Sequence, residues 1–241
     1  MFENIWIGIV LTFYTVLNII VPLSGSATVT PLLAILTDPH KAIGLAIFYF
    51  FLSSLVRLYL FRKFIQWEEA KHLIIPSAIA VLLGSLSLVV VSTTILYVIV
   101  LSSAVYFLLK KLKIIEWERT RKLTSPLVGV LSGFLQGTGL AGSDLRNSYL
   151  YSQGLSISEV HGTTAVIGSL NFFIATIARL LTHQMQLIDL TPLLYIFPFI
   201  VIGTLAGRLV LNKIDKKLAD YIVIAVMIVM IIGLSLKLYQ L

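Results

Sequence analysis

The chain has 241 residues, of which 58% are apolar and only 12% charged, yet its formal net charge is +7. A soluble domain carries about 25% charged residues, so a soluble fold, a disordered chain and a nucleic-acid reader are all excluded by the mean hydropathy of +0.99. The excess positive charge needs another explanation.

Long apolar runs fall near Phe2–Leu23, Ala42–Leu60, Leu73–Val91, Thr94–Leu109, Pro126–Phe134, Val160–Leu181, Leu190–Leu211 and Leu218–Leu238. Several reach the ~20 residues that a helix needs to cross a bilayer. The runs are continuous and do not alternate with period two, which argues against a transmembrane barrel. The first run has no basic segment before it and carries Glu3, so it reads as part of the mature protein and not as a secretory signal. Two shorter pieces interrupt the series. Ala27–Thr37 lies between Ser24-Gly25-Ser26 and Asp38-Pro39, and Asp144–Ser152 lies between the run Gly137–Gly142 and Gly154. As helices they would cover about half of a ~30 Å hydrocarbon core.

These short pieces hold matching places in two halves. Phe50-Phe51 and Arg57 match Phe172-Phe173 and Arg179 at an offset of 122. Pro39–Gly44 resembles Ile157–Gly162 at 118, and Leu83–Leu86 matches Ile202–Leu205 at 119. The expectation is an all-α integral membrane protein of two inverted repeats, each a re-entrant short-helix pair plus three transmembrane helices. Its divisions are a first half over 1–113, a basic linker over 114–124 and a second half over 125–241.

Lys and Arg in short loops mark the cytoplasmic side. The segment Lys110–Lys122 holds six of them, Arg62–Lys71 three and Asn212–Lys217 three, so twelve of the eighteen would lie inside. The loop His183–Asp189 has none and belongs outside. This alternation works only when the Gly-rich pair after Ser125 enters and returns on one face. Odd crossings then invert the halves, in a cell (inner or plasma) membrane with both termini outside.

Inverted halves place two half-helix starts near the midplane. A helix start offers unpaired N–H groups to an anion. The candidate substrate-binding residues there are Ser24, Gly25, Ser26 and Thr28 in the first half, and Thr138, Gly139, Gly142 and Ser143 in the second. Small residues also serve helix packing. Intramembrane Arg57, Arg146 and Arg179 join the binding set, since buried charges in membranes mark function; Arg57 and Arg179 could instead snorkel to the interface. Asp144 and His161 are candidates for carrying a coupled proton, or else for capping helices. Asn18, Gln136, Asn147 and Asn171 are secondary polar candidates, and Arg208 reads as interfacial. No cysteine is present and the four histidines have no ligand spacing, so neither a metal nor a cofactor is expected. The expected partners are a small anion and the lipid bilayer; a homodimer is compatible with the sequence but not specified by it.

The run Ser132-Gly133-Phe134-Leu135-Gln136-Gly137-Thr138-Gly139-Leu140-Ala141-Gly142-Ser143, followed by Gly154 and Glu159-Val160-His161-Gly162-Thr163-Thr164-Ala165, resembles the sulfite exporter TauE/SafE family. The first half keeps a reduced form, Ser24-Gly25-Ser26-Ala27 through Pro31. The resemblance implies a transporter, not an enzyme, that passes sulfite, sulfoacetate or a related organosulfonate. Two departures stand out. The first-half glycine run is mostly lost, and Asp144 and Arg146 stand where apolar residues are usual. A thiosulfate-importing branch relies on cysteines, which this chain lacks. A transporter or channel for another small oxyanion, or an intramembrane enzyme acting on lipid phosphates, are the alternatives.

Overall fold

The computed structural model describes residues 2–20, 26–112, 114, 124–140, 142–211, 213 and 216–240. Among these it is all helical: α1 (Phe2–Ile20), α2 (Ser26–Leu36), α3 (Pro39–Phe61), α4 (Trp67–Ser87), α5 (Thr93–Lys111), α6 (Ser125–Gly137), α7 (Gly142–Ser152), α8 (Ile157–Leu181), α9 (Leu187–Val210) and α10 (Lys216–Tyr239). No strand occurs among the described residues. Five helices, α3, α4, α5, α8 and α10, are long and apolar enough to cross a membrane. The two short helices α2 and α7 have 11 residues each, about 16 Å.

Local signals set the boundaries. Asp38 accepts from the backbone N–H of His40 at 2.9 Å, and Pro39 opens α3. Both features suit a helix start. Ser92 caps α5. Ser156 and Glu159 close a capping box at the start of α8. Glu159 also accepts from Gln66 Nε2 at 2.5 Å, tying the α3–α4 connection to α8.

Helices α6 and α7 form an antiparallel hairpin. Ser125 at the start of α6 bonds the Tyr149 hydroxyl near the end of α7 at 2.6 Å. At the other end, Gly142 lies against the backbone of Ser132 and Gln136. The hairpin runs parallel to α4 along its first arm: Gly129 meets Leu73, Gly133 meets Ser77, and Gly137 meets Val81 and Ser85. Ser85 is eighteen residues beyond Trp67, roughly 27 Å along α4. The turn therefore passes the centre of its neighbours instead of stopping there, and α7 starts about a turn back from it.

The first half packs likewise. α1 lies along α9, with Thr12 donating to the Phe199 carbonyl at 3.2 Å and Ile19 against Gly207. α3 and α8 cross the middle antiparallel. Phe61 stacks near His161 at 5.3 Å, Phe50 meets Phe172 at 5.4 Å, Phe51 meets Phe173 at 5.7 Å, and Gly44 lies against Met185. The main apolar core gathers around this crossing, with Ile43, Ile47, Tyr49, Phe50, Phe172 and Ala175 all buried.

Candidate functional site

The Gly-rich turn is closed by packing. Gly139 has φ +77°, a left-handed conformation, and a Cβ there would stand 2.5 Å from Ile43 Cγ2. A Cβ on Gly142 would stand 2.0 Å from the Ser132 carbonyl oxygen. These glycines let α6, α7 and α3 approach one another, so the close approach is to protein backbone and side chain. The Thr138 hydroxyl turns back to donate to the Leu135 carbonyl at 2.9 Å. Ser143 is half-buried in the first turn of α7. In the first half, the buried Thr28 hydroxyl is bonded to Tyr14, so it joins α2 to α1. Ser24 and Gly25, and the side chain of Ser26, lie outside the described residues.

The three arginines are not alike. Arg179 is 0% exposed, so it does not snorkel. Its guanidinium donates to Gln184 Oε1 at 2.9 Å and to the Gly137 carbonyl at 3.5 Å, capping the end of α6. Arg57 is partly buried and donates to Ser54 at 3.4 Å. It lines a small crevice with Thr15, Asn18, Ile19 and Tyr49 at the end of α1. Arg146 is 1% exposed and donates from Nη1 to Gln136 Oε1 at 3.2 Å. Among the described residues no carboxylate lies within ion-pair distance of any of these three arginines. Arg208 is exposed and covers the Phe61 ring at 5.5 Å, as an interfacial residue would.

A buried polar chain surrounds Arg146. Gln136 Oε1 also accepts from Asn171 Nδ2 at 2.9 Å, and Asn171 Oδ1 accepts from Ser77 at 3.2 Å. Four helices, α4, α6, α7 and α8, each give one residue. Sequence reasoning named Gln136 and Asn171 only as secondary and missed Ser77. Its signal was faint, one serine in an apolar helix.

His161 is buried, and its Nε2 lies 3.0 Å from the Ile19 carbonyl. A carbonyl only accepts, so Nε2 carries the proton and caps α1. Asp144 is the third residue of α7 and not its N-cap, because the helix already begins at Gly142. Its carboxylate is held by Lys110 at 2.5 Å, and Lys110 also reaches Ser148 at 3.2 Å. Lys111 pairs with Asp220 at 2.5 Å. These pairs border a cavity of about 300 Å³ between α5, α7 and α10, lined also by Asn147 and Tyr151. No group of three or more His, Asp or Glu side chains that would hold a metal occurs among the described residues.

Buried polar atoms left without a partner are concentrated on donors. They include Nε of Arg57, Arg146 and Arg179 and Nε2 of Gln136; the others are Thr30 Oγ1, Asn147 Oδ1 and the Tyr151 hydroxyl. Buried donors ordinarily find partners. An interior with surplus positive charge and surplus N–H groups is short of acceptors.

Neither a curated protein nor a solved structure gives a match to this chain. A family model does: it matches residues 7–234, nearly the whole length. With the helical architecture above, this makes the chain a multi-pass membrane protein of the sulfite exporter TauE/SafE family, a family of membrane transporters for sulfite or related anions.

Proposed function

We propose that this protein exports a small sulfur-containing anion, sulfite, sulfoacetate or a related organosulfonate, by alternating access through a site within the helix bundle. The observation that carries the reading is the acid-free set of buried arginines with unpaired N–H donors around Arg146 and Gln136. An anion is the group that such a set lacks. Ser24, Gly25, Ser26 and Ser143 stay in the proposed site as hydroxyl and backbone donors near the half-helix starts; Arg57, in the crevice at the end of α1, is the cation proposed for the first half. Thr28, Thr138, Gly139, Gly142 and Arg179 support it through the packing and capping described above.

The repeat enters the mechanism. The pairs matched by sequence offset, Phe50 with Phe172 and Phe51 with Phe173, touch each other across α3 and α8. A two-fold axis brings equivalent residues together in this way. Packing exchanges between halves too: α4 lies on α6 as α9 lies on α1, and α4 touches α8 as α9 touches α3. These contacts support inverted halves over 1–113 and 125–241. The twelve Lys and Arg of the inner loops support a cytoplasmic basic segment. A monoanion leaving an inside-negative cell gains about 2.3 kcal/mol per 100 mV, so export needs no coupled ion.

Flux of sulfite and sulfoacetate into proteoliposomes of the purified protein tests this reading. Saturable flux is expected. No flux above empty liposomes for any small anion refutes it, ohmic flux makes the protein a channel, and turnover of a labelled lipid phosphate makes it an enzyme.

A further inference from the structure

We propose that Gln136 is a specificity-determining residue that selects anions carrying no proton of their own and rejects those that bear a hydroxyl; the inference rests on the anion-transport reading above. The orientation of its amide is fixed by its neighbours. Arg146 Nη1 and Asn171 Nδ2 both approach the same Gln136 atom, at 3.2 and 2.9 Å. A guanidinium has donors only, so that atom is the oxygen. Asn171 is fixed in turn, because the atom it sets against the Gln136 oxygen must be its N–H₂, which leaves Oδ1 towards Ser77 at 3.2 Å.

What remains is one-sided. Gln136 Nε2 has no partner in a side chain 2% exposed, and Arg146 Nε has none in one 1% exposed. Gln136 Oε1 already accepts two hydrogen bonds and Asn171 Oδ1 one. These two free groups only donate, so a ligand that completes them must bring lone pairs, and neither can accept a proton from it. A sulfonate, or sulfite as its dianion, brings lone pairs alone. A phosphonate monoanion has the same shape and charge but adds one P–O–H. Burying that hydroxyl proton without a partner corresponds to roughly 5- to 100-fold weaker binding. Asn147 Oδ1 is a buried free acceptor one residue from Arg146, but adjacent helical residues point about 100° apart. It lines the separate cavity with Lys110, Tyr151 and Asp220.

The matched pair methanesulfonate and methylphosphonate isolates the effect. Proteoliposomes are loaded with labelled methanesulfonate, and each unlabelled anion competes at a mildly acidic pH that keeps methylphosphonate a monoanion. Methanesulfonate is expected to compete at about 5- to 100-fold lower concentration. Gln136→Glu replaces the free N–H₂ by an acceptor oxygen at the same place, and should narrow or invert the ratio. Gln136→Met removes the donor, and with it the oxygen that Arg146 and Asn171 donate to, without adding an acceptor for a proton; it should narrow the ratio by weakening methanesulfonate more than methylphosphonate. Thermal stabilisation of each purified variant by each anion reads the same preference without flux. Equal competition in the wild type overturns the inference while leaving anion transport intact. Discrimination that survives both substitutions overturns it as well, by placing selection elsewhere. Absence of any anion flux and any anion stabilisation in the wild type removes the transport reading itself.

Discussion

Alanine placed on the α6 face that meets α4 should destabilise the protein in a graded order. A Cβ would stand 3.0 Å from the Leu73 carbonyl oxygen at Gly129, 2.3 Å from the Ser77 oxygen at Gly133 and 2.2 Å from the Val81 oxygen at Gly137. Backbone on the far side cannot rotate away as a side chain would. At Gly133 the helices must part by about 0.7 Å to reach even a 3.0 Å contact. Overpacking of this kind costs about 1–3 kcal/mol, and tight small-residue contacts are a main source of helix association in membranes. The displacement also reaches function, because Gln136 rides on α6 while Asn171 and Ser77 belong to α8 and α4. Thermal unfolding in detergent should show a small loss for Gly129→Ala and larger, similar losses for Gly133→Ala and Gly137→Ala. The two larger losses should be accompanied by weaker anion flux. Wild-type stability in Gly133→Ala, or a greater loss at Gly129 than at Gly133, would mean that α4 and α6 do not pack in this register.

Further expectations concern the caps and the ion pairs. His161→Leu leaves the Ile19 carbonyl without its donor and should cost about 1–3 kcal/mol in unfolding free energy, whereas His161→Gln, which still offers an N–H, should recover part of it. Asp144→Asn should destabilise more than the double change Asp144→Asn with Lys110→Met, because a partly buried lysine left alone is worse than none; equal losses would show that the lone lysine carries no penalty. Because the chain has no cysteine, single cysteines at Arg119 and His183 report sidedness directly. Labelling of both from the same face of intact cells would break the proposed topology.

The helices were legible because apolar runs of span length have few other readings. The two short pieces were legible as well, and α7 begins at Gly142, two residues before the piece read from sequence. The use of the glycines was not legible. Gly129, Gly133 and Gly137 recur every four residues, a spacing that lines one helix face, but the last of them sits inside a turn-like run that also suits anion binding. Only the position of Ser77 and Val81 opposite them decides for packing. Arg57 and Arg179 share an offset in the sequence but differ in their surroundings, Arg57 partly buried and Arg179 fully. The sequence left open whether Arg179 reached water, because an arginine near the end of a span has both options; the hydrogen bond from its guanidinium to the end of α6 depends on a contact across helices. The Gln136–Asn171–Ser77 chain was hidden for the same reason, as its members are 94 residues apart at the extreme.

The two short helices are held unequally, and this bears on the proposed alternating access. Lys237 on α10 donates to the Ala34, Ile35 and Thr37 carbonyls at 2.9–3.0 Å, and the Tyr97 hydroxyl on α5 bonds the Ala34 and Thr37 carbonyls, so the end of α2 is tied to α5 and α10 through backbone. α7 reaches α5 through the side chains of Asp144 and Ser148 on Lys110, beside the cavity of about 300 Å³. Meanwhile α8 grips both hairpins, α1 through His161 on Ile19 and α6 through Arg179 on Gly137. The hairpin ends are therefore joined to α8, whereas α5 and α10 pack mainly on each other and on α2, which makes them the elements to move against that body in the proposed mechanism. In the proposed orientation the gap beside Lys110 and Lys111 opens towards the cytoplasm while the Lys237 clasp closes the other side. In the proposed alternating access these states would exchange, with α7 closing on α5 and Lys237 letting go of α2. Lys237→Met removes the clasp and should raise accessibility from the outer face, read as faster labelling of a cysteine placed at Asn18, whereas unchanged labelling would mean that α2 is held shut by packing alone.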